Sequence, residues 1–271
     1  MVECEEIRPG EEWAMTEGIE QWREFRRARE TELRQPRGWL TLTGFHWLPE
    51  TPTRLGDLPG RWSTDGQDAF LDAAPRDGLS VDGTLVDGRS RKTVAETSRA
   101  PWVEFGDTEI ELLRRGGRLA IRMRAQTSPD RENFAGVPTF DYDPAWVITA
   151  TFEPYPDGRK VDVATHKPEL RQQLPAMGEV VFTVDGQPQR LVATNIKTGL
   201  SIEFHDPTNG VETEPWRQLK FDDPAPDGTV VLDFNRAINM WFAFTDHATC
   251  PMPVTGNTIT VPVRAGEKSP G

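Results

Sequence analysis

A chain of 271 residues is long enough to bury a sizeable core as one large β domain or two modest ones, without disulfide or metal staples. Its 43 acidic against 31 basic residues give a formal charge of −12, which argues against non-specific binding to nucleic acid or an anionic membrane, since both need a positive surface. No apolar run nears the roughly 20 residues of a membrane span, the first residues are acidic, and there are two cysteines, Cys4 and Cys250. The composition therefore points to a cytoplasmic protein in a reducing compartment, with no membrane or nucleic-acid partner.

From Thr16 to about Arg34, Ile19, Trp22, Phe25 and Leu33 recur at helical spacing among many Glu and Arg. This predicts one amphipathic helix with Thr16 as N-cap and Pro36 beyond its end, preceded by a mobile tail over residues 1–15. The next segment, "RGWLTLTGFHWL" (Arg37 to Leu48), concentrates Trp39, Phe45 and Trp47 and is expected to clamp the helix to a sheet.

After Leu48 the pattern changes to short alternating runs separated by Asp82-Gly83, Asp87-Gly88, Gly116-Gly117 and Asp185-Gly186. Such dipeptides supply the positive φ of tight hairpins. "IELLRRGGRLAIRMRA" and "EVVFTVDGQPQRLVAT" each read as strand, turn, strand. Further strands are expected at Trp146 to Phe152, Leu200 to His205, Thr229 to Phe234 and Thr258 to Val263. One leading helix and ten or more strands predict a mainly β fold, an antiparallel sandwich or barrel over residues 16–268. The loop "EPYPDGRK" near residue 155 is the candidate break between two subdomains.

Three stretches carry a family resemblance: "AIRMRAQTSPDRENFAG" (Ala120 to Gly136), "DPAWVITATFEPY", and "DFNRAINMWFAFTDHATCPMPVTGNTITVPVRAGEK". With "GWLTLTGFHWL", they make the chain resemble, from about Trp22 to Lys268, the bacterial family known as domain of unknown function 1684. The resemblance implies a mostly β domain, often actinobacterial, with no agreed activity. Departures from the family pattern include Phe242 at an expected cysteine, Ala125 at an expected aspartate, and "TEPWRQL", where Arg217 is the match to the family's arginine.

Standard catalytic signatures are absent: no phosphate-cradling loop, nucleophile elbow, His-Glu-x-x-His or dinucleotide fingerprint occurs. No cofactor is expected. In "LSIEFHD" a period of two puts Glu203 and His205 on one strand face, where the acid can orient the imidazole as a general base or both can face water. His46 is the other candidate base. Arg122 and Arg131 are candidate anion binders by bidentate pairing, set against ordinary surface ion pairs. Asp233, Asn235 and Asn239 can line a pocket or pin an irregular loop. Trp39 and Trp241 can wall an apolar cavity or fill a core. "DPTNG" (Asp206 to Gly210) reads as a turn in which Asp206 and Thr208 bond backbone amides.

These residues favour a pocket for a small polar or anionic organic molecule, with acid-base turnover by His46 or His205 as its chemistry. A non-catalytic scaffold is the alternative reading. A third is a metalloprotein using His247 and Cys250, which requires further ligands from distant strands and gives way to Cys250 as a small buried hydrophobe.

Overall fold

A computed structural model of the protein describes residues 9–195 and 199–270; residues 1–8, with Cys4, lie outside the described residues. The leading helix α1 spans Pro9–Leu33, so it begins seven residues before the expected cap, and Thr16 lies inside it. The tail expected over residues 1–15 is therefore helical from Pro9. Leu33 is wholly buried, but the helix docks as much through polar groups. Trp22 Nε1 donates to the Asn235 carbonyl at 3.0 Å, and Arg26 Nη1 and Arg29 Nε reach Glu267 Oε1 at 2.5 and 3.2 Å.

The strands fall into two groups. The first comprises β1 (Leu42–Trp47), β2 (Arg61–Thr64), β3 (Ala69–Ala73), β4 (Leu79–Val81), β5 (Thr84–Leu85), β6 (Gly88–Lys92), β7 (Arg99–Phe105), β8 (Thr108–Arg115) and β9 (Arg118–Ala125). A short helix, α2 (Pro129–Glu132), leads to the second group. There follow β10 (Val147–Ala164), β11 (Arg171–Val184), β12 (Gln187–Asn195), β13 (Leu200–Phe204), β14 (Arg217–Phe221), β15 (Thr229–Asp233) and β16 (Ile238–Asn239). A six-stranded sheet has the order β1-β9-β8-β7-β4-β5, a seven-stranded sheet the order β15-β10-β11-β12-β13-β14-β16, and a small sheet the order β2-β3-β6. All named strand pairs are antiparallel. The fold is sandwich-like and the sheets do not close into a barrel, so the sandwich alternative holds.

Three of the four expected turns are hairpins. Asp82-Gly83, Gly116-Gly117 and Asp185-Gly186 each join paired strands with both residues at positive φ, the geometry that matches strand twist. Asp87-Gly88 instead passes the chain from β5 in the large sheet to β6 in the small one. The "EPYPDGRK" stretch is no boundary, because β10 runs through it with one register shift between Pro154 and Arg159. The chain leaves its first strand group between residues 126 and 146. Thr258 to Val263 forms no strand; its backbone touches the sheet through a single bridge from His205 to Thr258. The Arg37 to Leu48 segment is itself part of a sheet, since β1 pairs with β9.

Side-chain alternation divides the faces of the six-stranded sheet. Ile110, Leu112, Leu119 and Ile121 pack with Trp62, Leu71 and Trp102 in one apolar core. The intervening Glu109, Glu111, Arg122 and Arg124 take the opposite face and are buried as well. A second core, around Ile202, Phe204, Leu219 and Phe234, belongs to the seven-stranded sheet. The charged face of the first group thus meets polar residues of the second, and this junction positions the site.

Candidate binding cleft between the sheets

Counting outward from the Gly116-Gly117 turn brings Glu111 opposite Arg122 and Glu109 opposite Arg124. Arg122 Nε donates to Glu111 Oε1. Arg124 Nη2 lies 3.2 Å from the same oxygen, and Arg99 Nη1 donates to Glu111 Oε2 at 2.7 Å. One buried carboxylate therefore serves three guanidinium groups. Burial pushes the Glu111 carboxyl up, but the charges of Arg122 and Arg124 and the Arg99 hydrogen bond more than offset it, so it lies below its ordinary 4.5. Burial, partly countered by Glu111, pushes Arg122 down to about 10, still charged at neutral pH.

Arg122 is 1 % exposed, its hydrogen bonding among the described residues is confined to that one bond, and Nη2 has no partner. It lines a cavity of about 250 Å3 between the two strand groups. From the second group come Ser201 and Glu203 of β13 and Gln218 of β14, with Leu174, Met240 and Cys250 among the other walls. Trp39 and Trp241 also border it, stacked on each other at 4.4 Å with planes 8° apart. Arg122 and Arg124 lie over Trp39 at 5.0 and 5.4 Å and Arg29 lies 4.8 Å from Trp241, so both rings of the pair contact cations.

Glu203 is 2 % exposed, and all five residues of β13 are buried, which corrects the expectation of a strand face open to water. Its Oε1 accepts from Ser201 Oγ at 3.2 Å and Gln218 Nε2 at 2.7 Å, whereas Oε2 has no partner. Burial raises its pKa and outweighs these hydrogen bonds. The buried Cys250 thiol is pushed up to about 12, leaving a small neutral wall group.

A family model described as a protein of unknown function, DUF1684, matches residues 132–268. The chain belongs to this family. The DUF1684 segment starts beyond β9, so it contains Glu203, Gln218, Trp241 and Cys250 but neither Trp39 nor Arg122, and it is shorter than the resemblance from Trp22 suggests. No curated protein matches the chain. It is similar to the solution NMR structure of an uncharacterized protein from Haloarcula marismortui, with 27% identity, 51% of this chain and 78% of that one covered, and a TM-score of 0.42.

Of the sequence candidates, Trp39, Arg122, Glu203, Trp241 and Cys250 line the cleft, and the others lie elsewhere. His46 lines a separate cavity of about 400 Å3 together with His247, and burial lowers the pKa of both. His205 is fixed by donating Nδ1–H to the Pro215 carbonyl at 2.8 Å, so Glu203 does not orient it. Arg131 spends its donors on the carbonyls of Arg34 and Gln126 at the surface. Asp233 borders another hollow, beside Tyr142 and Arg236.

Asn235 donates Nδ2 to the Asp143 carbonyl and accepts from its amide, both at 2.9 Å. Asn239 donates its amide to Glu267 and its Nδ2 to the Lys268 carbonyl, both at 2.7 Å. Both asparagines pin loops. Asp206 does so too, accepting from the Thr208 amide as the "DPTNG" turn predicts and also from the distant Val263 amide, whereas the Thr208 hydroxyl bonds the Asp206 and Thr213 side chains rather than an amide. His247 and Cys250 line different cavities, and among the described residues no group of three or more His, Cys, Asp or Glu is placed to hold a metal ion. Glu111, Ser201 and Gln218 escaped the sequence reading. Pairing the strands outward from Gly116-Gly117 identifies Glu111; nothing local marks the other two.

Proposed function

We propose that the cleft between the two strand groups binds a small anionic organic molecule. The observation that carries this reading is Arg122, a buried cation with an unpartnered Nη2 that lines the cavity in a cluster of three guanidinium groups and one carboxylate. A buried donor without an acceptor is costly, and an anion supplies the acceptor. The cavity is below the roughly 300–1,000 Å3 of drug-sized sites, which favours a compact ligand. Its apolar walls, Leu174, Met240 and the indole pair, suit an organic remainder.

The turnover expected of His46 or His205 finds no support in their positions, and Glu203 is the carboxyl group available for proton transfer in the cleft. Two cysteines and a charge of −12 fit work in the reducing cytoplasm, away from nucleic acid and anionic lipid. Among the described residues, no helix is long and apolar enough to cross a membrane.

Thermal shifts with acetate, benzoate and inorganic phosphate test the reading on the parent, Arg122→Met and Arg131→Met. The parent and Arg131→Met are expected to be stabilised by the anion that fits, and Arg122→Met is not. Equal shifts in all three proteins, or none in the parent with any probe, overturn it.

A further inference from the structure

We infer that the anion is a carboxylate and that Glu203 meets it as a hydrogen-bond donor across the cavity from Arg122; this rests on the anion reading above. Glu203 Oε1 already takes the two donors offered by the strands, Ser201 Oγ and Gln218 Nε2. No cation lies within ion-pair distance of its carboxyl group among the described residues, and Oε2 is buried without a partner. An unpaired carboxylate in such a wall is costly, so the group keeps its proton. That proton belongs on Oε2, since Oε1 is occupied as an acceptor.

The groups around Glu203 leave this assignment standing. Lys220 on β14 favours the ionised form but is outweighed by burial. Cys250, from the loop beyond β16, is neutral. Arg122 on β9 and Arg115 at the end of β8 line the same cavity from the first strand group. Arg122 is engaged with Glu111, and Arg115 donates to the carbonyls of Ser98 and Arg114.

Among the described residues the cleft therefore holds two buried donor atoms without a partner, Arg122 Nη2 on β9 and the Glu203 hydroxyl on β13, one from each strand group. A cation finds no free charge partner there. A carboxylate has two acceptor oxygens to match the two donors, and its hydrogen bonds to a guanidinium and to a carboxylic acid are both charge-assisted. A phosphate dianion brings a second charge and further oxygens, for which the apolar walls Leu174 and Met240 supply no donor.

Titration calorimetry with benzoate and with inorganic phosphate, from about pH 6 to about pH 9, tests the inference on the parent, Glu203→Gln and Arg122→Met. Benzoate stays ionised across this range, so a change in affinity reports the protein. The parent is expected to prefer benzoate and, wherever Glu203 gives up its proton in this range, to lose affinity as pH rises. Glu203→Gln retains an N–H donor and an oxygen for Ser201 and Gln218, so it should bind benzoate within a few-fold of the parent's tightest binding and show no loss with pH. A parent whose affinity rises with pH, a Glu203→Gln variant that loses affinity at high pH as the parent does or fails to bind, or a preference for phosphate overturns the role of Glu203 while an Arg122-dependent anion site stands. Absence of binding by both probes at every pH overturns the anion reading along with it.

Discussion

Two buried arginines on the two large sheets carry the same charge and meet opposite fates. Arg217 of β14 is 0 % exposed and spends its terminal nitrogens on four acceptors: the carbonyls of Ala265, Glu267 and Val263 and the carboxylate of Asp206. Arg122 of β9 is equally hidden but makes one hydrogen bond among the described residues, borders a cavity and keeps Nη2 unpartnered. The lesson is that burial of a charge does not indicate its use. Coordination does: a nearly saturated guanidinium binds the chain's own loops, whereas one with donors to spare beside a cavity is equipped for another molecule.

The largest expected effect tests the saturated side. Arg217→Met strips a buried Asp206 of its cation and three carbonyls of their donor, and should cost about 3–5 kcal/mol in chemical denaturation. Arg122→Met should cost less, about 1.5–3 kcal/mol, because Arg99 and Arg124 still neutralise Glu111. If the two variants were equally destabilised, the contrast between the clusters would fail.

A smaller effect depends on pH. The folded-state pKa of Glu203 is raised, so between its ordinary 4.5 and that raised value the native chain binds more protons than the unfolded one. Stability in this window must fall as pH rises, by about 1.4 kcal/mol per pH unit from this group. Glu203→Gln should abolish that slope, which denaturation at a series of pH values would detect as a growing difference between variant and parent. The smallest effect belongs to Arg131→Met, which loses two exposed hydrogen bonds to carbonyls and should stay within about 0.5 kcal/mol of the parent.

Much of the architecture was legible because its signals are local. The paired left-handed residues at Gly116-Gly117 and Asp185-Gly186 specify hairpins whatever surrounds them. The strand assigned to Thr258–Val263 failed for a tertiary reason: its alternating residues bury Ile259, Val261 and Val263 against the second core without a neighbouring strand to pair with. Thr16 failed as a cap because the preceding residues continue the helix to Pro9.

The site was half legible for a similar reason. Arg122 and Glu203 stand out as charged residues inside strands, yet alternation alone assigns such residues to water. Only the stacking of one sheet's polar face against the other turns both inward. His46, His205 and Arg131 share the same chemistry on paper, and their positions, set by contacts distant in sequence, remove them from the cleft.

The face-to-face contact of Trp39 and Trp241, 4.4 Å apart with nearly parallel planes, has an optical consequence. Indoles that close share their excited states, so the pair should give an exciton couplet in circular dichroism, which Trp39→Phe would remove despite the nine-tryptophan background. Arg122 lies 5.0 Å from the Trp39 ring centroid, and anything that draws its guanidinium away from the ring should change the couplet's amplitude. The chain thus carries its own chromophore for reporting occupancy of the neighbouring hollow, with no label attached.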